Sequence, residues 1–305
     1  MALRSCRIEF TPEQTQARLT MAACAAARTA FMAGKIRVRH ALPLWQRLRR
    51  RWRAWRGAGL NKSHVVHFVQ IGEARFKRVG FAAAETAQAV AEGLERLADS
   101  ACFPALLMRD GHQVWVDYVP GGPPQLSDPA DQQRLVEFFV RLYGQAPVQT
   151  TDPAPISVLV ARDLDFLSRC GVLTQDRSHR LLELERALRP SQVCLGMDYI
   201  DPLAKNFVIR GDQAVAIDIE ALILDTPLGT GLAKAWLRWP FDPAPEVLRR
   251  VLAAGGPDLA PQLAWTRLSF LGSYFKQKVL QGKPTYIRLD AFDRLGQSQT
   301  AQTPP

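Results

Sequence analysis

Residues 198–220, DYIDPLAKNFVIRGDQAVAIDIE, form the most informative stretch of the sequence. A carboxylate at Asp201 and an amide at Asn206 stand five residues apart, directly before a short apolar run. A turn at 210–213 separates this run from a second one, and Asp218 follows twelve residues after Asn206. The pattern predicts a β-hairpin with a carboxylate and an amide at its entrance and a second carboxylate at its exit.

Two carboxylates and an amide at this spacing suit the transfer of a phosphoryl group. One carboxylate can orient or deprotonate the attacking hydroxyl, while the amide oxygen and the second carboxylate hold Mg²⁺ on nucleotide phosphates. An isolated aspartate and asparagine beside a strand more commonly form a turn and a cap. The interpretation therefore depends on what the rest of the chain carries.

The stretch resembles the catalytic loop of the protein-kinase-like superfamily, most closely that of the aminoglycoside and choline phosphotransferases. The resemblance implies an ATP- and Mg²⁺-dependent kinase in which Asp201 is the catalytic base. It also implies that Asn206 is a Mg²⁺ ligand and Asp218 the principal one. Lys205 is similar to the basic residue that tyrosine kinases place there, where it would neutralise charge on the transferring phosphate.

The N-terminal half of the chain adds further matches. Lys77, in ARFKRV, resembles the strand lysine that pairs with the α- and β-phosphates. The resemblance implies a helix glutamate that clamps this lysine, which would be Glu92, with Glu85 as the alternative. Residues 115–121, WVDYVPG, resemble the hinge that binds adenine through its backbone. The implied nucleotide contacts of this hinge are Asp117, Tyr118 and Val119.

The chain also departs from the kinase pattern. Tyr199 replaces the catalytic-loop histidine, Gly231 replaces the aspartate of a later Asp-Leu-Ala element, and the phosphate-covering turn at 57–63 is poor in glycine. Asp198 offers a second register in which it, rather than Asp201, is the base. These departures leave a second function open, a catalytically silent kinase-like protein that binds a nucleotide or a partner as a scaffold.

The order of the predicted elements indicates an α+β protein with a bilobal, protein-kinase-like fold. We expect an N-terminal helical, basic extension over 1–56, a strand-rich lobe over 57–122, a helical lobe with one short hairpin over 123–295, and a flexible tail over 296–305. The first lobe has predicted strands at 64–70, 74–79, 105–108 and 113–118 and a helix at 83–99. The second has predicted strands at 207–209 and 214–217 and helices at 131–143, 156–170, 175–188, 228–239, 245–254 and 261–280.

The composition restricts the class of protein. With 47% hydrophobic and 22% charged residues, the 305-residue chain is typical of globular proteins and not of disordered or coiled-coil ones. The net charge is +10, but nine basic residues and no acid lie between Lys35 and Arg56, which leaves 30 bases and 29 acids elsewhere. Because the excess is confined to one segment, a nucleic-acid-binding protein is not favoured. Five cysteines without a close pair favour a reducing compartment.

The basic segment, residues 35–56, has three interpretations. It is a solvated helix docked on its own domain, a helix lying on an anionic membrane surface, or a contact for nucleic acid or a phosphate-rich glycan. No signal-peptide pattern precedes it. We expect a cytoplasmic protein, peripherally attached to the inner face of the cytoplasmic membrane, that phosphorylates a hydroxyl of a small molecule, sugar or lipid-linked glycan. The apolar stripe of the segment consists of Leu44, Leu48, Trp52 and Trp55.

Overall fold

A computed structural model of the protein describes residues 36–40, 65–71, 74–145, 148–283 and 288–300. The chain divides into two compact units, residues 1–121 and residues 122–305. The division falls inside the run PGGPP, where two glycines and three prolines interrupt regular structure.

The first unit contains a five-stranded antiparallel sheet and a helix. The strand order is β1-β2-β3-β5-β4, and the helix α1 (Ala84–Arg96) packs against β4 and β5. The strands are β1 (Ile36–His40), β2 (Val65–Ile71), β3 (Ala74–Gly80), β4 (Leu106–Asp110) and β5 (Gln113–Asp117). The small and aliphatic side chains that α1 buries are Ala87, Val90, Ala91 and Leu94. The two predicted hairpins and the predicted helix of this unit are confirmed.

Strand β1 corrects one expectation from the sequence. Ile36–His40 was expected to belong to the helical extension, whereas it pairs antiparallel with β2, from Ile36 opposite Ile71 to His40 opposite His67. The segment reads IRVRH, and this alternation of apolar and basic residues has the period of a strand rather than of a helix. The rest of the expected helical extension, with the apolar stripe of the basic segment, and the turn at 57–63 lie outside the described residues.

The second unit is mainly helical, as expected. Its helices are α2 (Pro129–Gln145), α3 (Ala154–Arg169), α4 (Gln175–Leu188), α5 (Thr230–Arg238), α6 (Ala244–Ala253), α7 (Ala260–Leu280) and α8 (Asp290–Thr300). The helix α8 continues to Thr300, so the beginning of the predicted flexible tail is helical instead. In the part of the chain that the structure describes, no helix has both the length and the hydrophobicity to cross a bilayer.

More strands are present in the second unit than the sequence predicted. Besides the expected hairpin of β8 (Phe207–Arg210) and β9 (Gln213–Ala216), the unit has a three-stranded antiparallel sheet in the order β10-β7-β6. The strands of this sheet are β6 (Gln149–Thr151), β7 (Val193–Tyr199) and β10 (Leu222–Pro227). The expectation of a single hairpin is therefore wrong, and β7 leads directly into the residues that precede Asn206.

The tripeptide Asp-Pro-Ala marks the beginning of three helices in this unit. In each, the aspartate carboxylate accepts a hydrogen bond from the alanine N–H two residues later, at 3.0 Å for Asp128, 2.8 Å for Asp152 and 3.1 Å for Asp242. The carboxylate satisfies a backbone donor that has no partner within the helix, and the proline has no N–H to satisfy. These local interactions fix where α2, α3 and α6 begin.

An aromatic cluster in the core of the second unit lies against both ends of the segment 200–206. The ring of Phe138 in α2 lies 5.6 Å from that of Tyr199 and 5.0 Å from that of Phe207, measured between centroids. Tyr199 and Phe207 also contact each other at 5.4 Å, and all three side chains are fully buried. Edge-to-face packing of such rings is favourable. The segment between Tyr199 and Phe207 is thus held at both ends by one cluster.

Candidate active site

The segment 200–206 is folded around the side chain of Asn206. The amide nitrogen of Asn206 donates to the backbone carbonyl of Asp201 at 2.9 Å and to the Oδ2 atom of its carboxylate at 3.0 Å. The backbone N–H of Asn206 donates to the carbonyl of Leu203 at 2.8 Å. From outside the segment, the indole Nε1 of Trp239 donates to the carbonyl of Pro202 at 2.7 Å. The segment has a fixed backbone, and its asparagine is tied to its aspartate.

The hairpin brings Asp218 to the same place. Phe207 pairs with Ala216 in the ladder of β8 and β9, and the N–H of Ile217 donates to the carbonyl of Asn206 at 2.8 Å. Asp218 is the next residue in the chain. Of the residues that the sequence singled out in this half of the chain, Asp201, Asn206 and Asp218 are therefore brought together, as their spacing predicted.

The donor set can be tested for its fit to Mg²⁺. Since the amide nitrogen of Asn206 is turned toward Asp201, its Oδ1 atom remains to serve as a ligand. Among the described residues no group of three or more His, Cys, Asp or Glu side chains could hold a metal ion. Mg²⁺ at nucleotide sites is usually held by one or two carboxylates together with phosphate oxygens and waters. Asn206 Oδ1 and the Asp218 carboxylate fit that mode of binding.

Tyr199 occupies the position of the catalytic-loop histidine. Burial raises the pKa of its phenol well above the ordinary value, and the charges of Asp218, Asp201 and Glu220 raise it further. The backbone of Asp218 acts on this pKa in the opposite direction. The phenol therefore stays neutral, and the Tyr199 ring holds the beginning of the loop by packing on Phe138 and Phe207.

Asp198 has no solvent exposure and is held by three donors from three parts of the unit. Its Oδ1 atom accepts from the Tyr143 hydroxyl at 3.0 Å and from the Tyr199 N–H at 2.7 Å, and its Oδ2 atom accepts from the Gly231 N–H at 3.0 Å. A carboxylate enclosed in this way cannot meet a substrate. By contrast, the Asp201 side chain is 29% exposed. The geometry therefore favours Asp201 over Asp198 as the base.

Gly231 is the reason that the Asp198 carboxylate fits. A Cβ atom at position 231 would lie 2.3 Å from the carbonyl oxygen of Tyr199 and 2.7 Å from Oδ1 of Asp198. Such distances are far shorter than van der Waals contact. The two departures from the kinase pattern at this point, a glycine on α5 and an additional aspartate on β7, are therefore one arrangement, in which the strand supplies a carboxylate and the helix supplies an N–H.

The buried carboxyl group of Asp198 predicts that the stability of the protein depends on pH. Burial raises the pKa of its carboxyl from 3.8 to about 6, although its hydrogen bonds oppose this shift. An acid whose pKa is higher in the folded state contributes stability that is present below pH 3.8 and is lost as the pH rises through 6. We measure the free energy of unfolding in urea between pH 4 and pH 7. Over this range we expect the free energy of unfolding of wild type to fall by about 1–3 kcal/mol relative to that of Asp198→Asn. A difference between the two proteins that does not change with pH would contradict the assignment.

Lys234 is the functional candidate that the sequence did not reveal. It lies on α5, and its ammonium forms an ion pair with Oδ1 of Asp201. Its side chain is 17% exposed, so the pair is shielded from solvent. Lys205, the predicted basic residue of the loop, is exposed in the 3₁₀ turn Ala204–Asn206. The lysine that contacts Asp201 is thus Lys234, and the role of Lys205 stays a prediction.

Lys77 and Glu92 belong to the first unit. Lys77 lies in β3 opposite Phe68 and Val116, and it is only 8% exposed, so it is not an ordinary surface lysine of a strand. Glu92 lies on α1 and accepts a hydrogen bond from Gln88 one turn earlier at 2.9 Å. The ion pair between Lys77 and Glu92 stays a prediction. Glu85, the alternative, is exposed in the first turn of α1.

The predicted hinge follows β5. The N–H of Asp117 donates to the carbonyl of Ala105 at 3.0 Å, and the N–H of Tyr118 donates to the carbonyl of Arg75 at 3.2 Å. Both of these N–H groups already donate to carbonyl groups of the first unit. Of the three predicted adenine contacts, Val119 is therefore the residue whose N–H is best suited to bind a base.

The structure is similar to solved phosphotransferases. A macrolide 2'-phosphotransferase type I is 18% identical with a TM-score of 0.52, and the match covers 84% of this chain and 98% of that one. The choline kinase LicA from Streptococcus pneumoniae is 12% identical with a TM-score of 0.53, and the match covers 77% of this chain and 89% of that one. A thermostable mutant of the aminoglycoside phosphotransferase APH(4)-Ia is 14% identical with a TM-score of 0.52, and the match covers 80% of this chain and 94% of that one. The chain has the protein-kinase-like fold, as the resemblance implied.

No protein-family profile matches the sequence, and no curated protein matches it significantly. At identities of 18% or less, the similarity to these solved structures establishes the fold alone. Function has to be argued from the site.

Proposed function

We propose that the protein is an ATP- and Mg²⁺-dependent phosphotransferase that acts on a hydroxyl of a small molecule, a sugar or a lipid-linked glycan. The observation that supports it is a continuous set of hydrogen bonds. Asn206 is bonded through its side chain to Asp201 and through its carbonyl to Ile217, the residue before Asp218. Base and metal ligands on one rigid element are what phosphoryl transfer requires.

Each residue then has a role. Asp201 accepts the proton of the attacking hydroxyl, and the ion pair with Lys234 holds its carboxylate in place. Asn206 Oδ1 and Asp218 would hold Mg²⁺, which neutralises charge on the phosphates when it is bound. In the first unit, Lys77 would pair with the α- and β-phosphates and Val119 would bind adenine.

The alternative of a silent scaffold was raised because Tyr199 and Gly231 depart from the kinase pattern. Tyr199 packs in the buried aromatic cluster with Phe138 and Phe207, and Gly231 donates to Asp198, so both departures are accommodated within the fold. The names of the similar solved structures, among them macrolide, aminoglycoside and choline phosphotransferases, agree with an enzyme acting on hydroxyl groups. We therefore favour the enzyme.

Attachment to the inner face of the cytoplasmic membrane is a further part of the proposal, and it depends on the basic segment alone. Tryptophans opposite arginines are typical of helices at the surface of anionic bilayers. Strand β1 takes Ile36–His40 out of that helix, so its basic and apolar stripe would lie within residues 41–56.

Replacement of Asp218 tests nucleotide binding. Mg-ATP at 100 times its Kd would stabilise wild type by about 2.7 kcal/mol, seen as a rise in melting temperature. We expect Asp218→Ala to bind Mg-ATP at least tenfold more weakly, because one of two protein ligands of the metal is gone. Asp212→Ala, which removes an exposed carboxylate from the turn of the same hairpin, is the matched control and should bind like wild type. An unchanged Mg-ATP affinity in Asp218→Ala would refute the assigned role.

A further inference from the structure

We infer that the acceptor of this enzyme carries a negatively charged group, a carboxylate or a phosphate, close to the hydroxyl that is phosphorylated. The inference rests on the proposed function, since it concerns the substrate bound next to Asp201. It comes from a group of side chains on α5 and α7, here named the basic–aromatic patch, which consists of Lys234, Phe270, Tyr274 and Lys278.

Lys234 connects the patch to the base. Its ammonium contacts the carboxylate of Asp201 and also lies 5.8 Å from the centre of the Tyr274 ring. One charged group is therefore shared between the base and the aromatic ring. The two helices pack against each other, and Tyr274 is thereby connected to Asp201 through Lys234.

A second ammonium group, which belongs to α7 itself, also lies near the Tyr274 ring. Lys278 is one helical turn after Tyr274, and its Nζ atom is 4.8 Å from the centre of the ring. Phe270, one turn before it, stacks on Tyr274 with 5.2 Å between centroids. All three side chains are partly exposed. The result is a partly exposed aromatic pair with two ammonium groups within 5.8 Å of the centre of the Tyr274 ring.

The two helices contain no compensating acid. Between them α5 and α7 carry five basic residues and neither aspartate nor glutamate. Arg267 is neutralised by Asp242 at 2.6 Å, and Lys276 by Asp163 at 2.5 Å. Within the described ranges, Lys278 has no carboxylate in ion-pair distance. Lys234 is itself paired with Asp201, so Lys278 is the uncompensated cation of the patch, next to the Lys234–Asp201 pair.

The charge decides which ligand fits. An anion placed over the patch is attracted by the ammonium of Lys278 and can share the ammonium of Lys234 with Asp201, and the aromatic rings reduce the screening by water on one side. A cationic acceptor would meet like charges at the same place and would also compete with Lys234 for Asp201. A hydroxyl compound with a carboxylate or a phosphate satisfies both the base and the patch.

The test compares sugars that share one carbon skeleton and differ in charge. Binding of D-glucuronate, D-glucose 6-phosphate, D-glucose and D-glucosamine to the full chain is measured by NMR titration at low ionic strength, without nucleotide. We expect one or both anions to bind at least tenfold more tightly than D-glucosamine. The two anions separate a carboxylate preference from a phosphate preference.

Variants assign the preference to the patch. Lys278→Ala should reduce the preference for the anion by about tenfold and leave Mg-ATP binding unchanged, since it touches neither Asp201 nor the metal ligands. Arg249→Ala, which removes an exposed cation from α6, is the matched control and should keep the preference. Equal binding of the four sugars, tighter binding of D-glucosamine, no detectable binding, or an equal loss in both variants would each overturn the inference.

The outcomes separate this inference from the proposed function. A protein that binds Mg-ATP through Asp218 but prefers D-glucosamine keeps the phosphotransferase proposal and loses the anionic acceptor. A protein that prefers the anions through Lys278 but binds no Mg-ATP keeps the anionic site and loses the phosphotransferase proposal.

Discussion

Replacing Asp201 with asparagine is expected to lower kcat by about 10²–10⁴-fold, the usual loss when a general base is removed. The amide of the variant can still accept the hydrogen bond from Asn206, but it cannot take the proton of the attacking hydroxyl. Asn206 and Asp218 are unaltered, so the affinity for Mg-ATP should remain close to that of wild type. ADP release from Mg-ATP, with water or a hydroxyl compound as acceptor, measures the rate, and the thermal shift with Mg-ATP measures binding.

Asp212→Asn is the control for this experiment. It makes the same chemical change at an exposed position of the β8–β9 turn, eleven residues farther along the chain, and should turn over at the wild-type rate. Equal rates for wild type and Asp201→Asn would remove Asp201 as the base. Nucleotide binding with no turnover in wild type itself would instead favour the silent scaffold.

Adding one methyl group at Gly231 is expected to be the most damaging change to stability. The Cβ atom of Gly231→Ala would lie 2.3 Å from the Tyr199 carbonyl oxygen and 3.1 Å from Cε1 of Phe139. The nearest atom is backbone, so relief requires α5 to move away from β7. That movement would stretch the hydrogen bond from the Gly231 N–H to Asp198. We expect a loss of about 3 kcal/mol, the upper part of the range for overpacking.

Gly272→Ala is the matched control for that measurement. Gly272 lies inside α7, and a Cβ atom there would meet Asp163 at 3.6 Å, an ordinary contact. Since alanine favours a helix over glycine by about 1 kcal/mol, this variant should unfold at the wild-type temperature or higher. In thermal unfolding followed by circular dichroism, Gly231→Ala should melt about 6–12 °C below wild type. Equal melting of the two alanine variants would contradict the close approach of α5 to β7.

The geometry of the loop was predictable from the sequence because it is local. Asp201 and Asn206 lie in one short segment, and Asp218 is fixed relative to them by a tight hairpin. Spacing along the chain therefore determines distance in space. The same holds for the helices that begin at Asp-Pro-Ala, where the capping residue is next to the helix it caps.

The parts that escaped prediction depend on residues far apart in the chain. Lys234 reaches Asp201 from a helix 33 residues later, and no spacing rule connects them. Strand β7 contains a glycine and a buried aspartate, so it lacks the alternation of a strand, and Asp198 is buried there only because Tyr143 and Gly231 donate to it. Strand β1 was missed for another reason, since the charge of the basic segment obscured its alternation.

The closeness of α5 to β7 also makes two positions of this loop depend on each other. A side chain at position 231 and a carboxylate at position 198 compete for the same volume. An aspartate at position 231 beside Asp198 would also bury two carboxylates together, which is unfavourable unless a cation accompanies them. Positions 198 and 231 are therefore expected to vary as a pair among relatives, although each looks independent along the sequence.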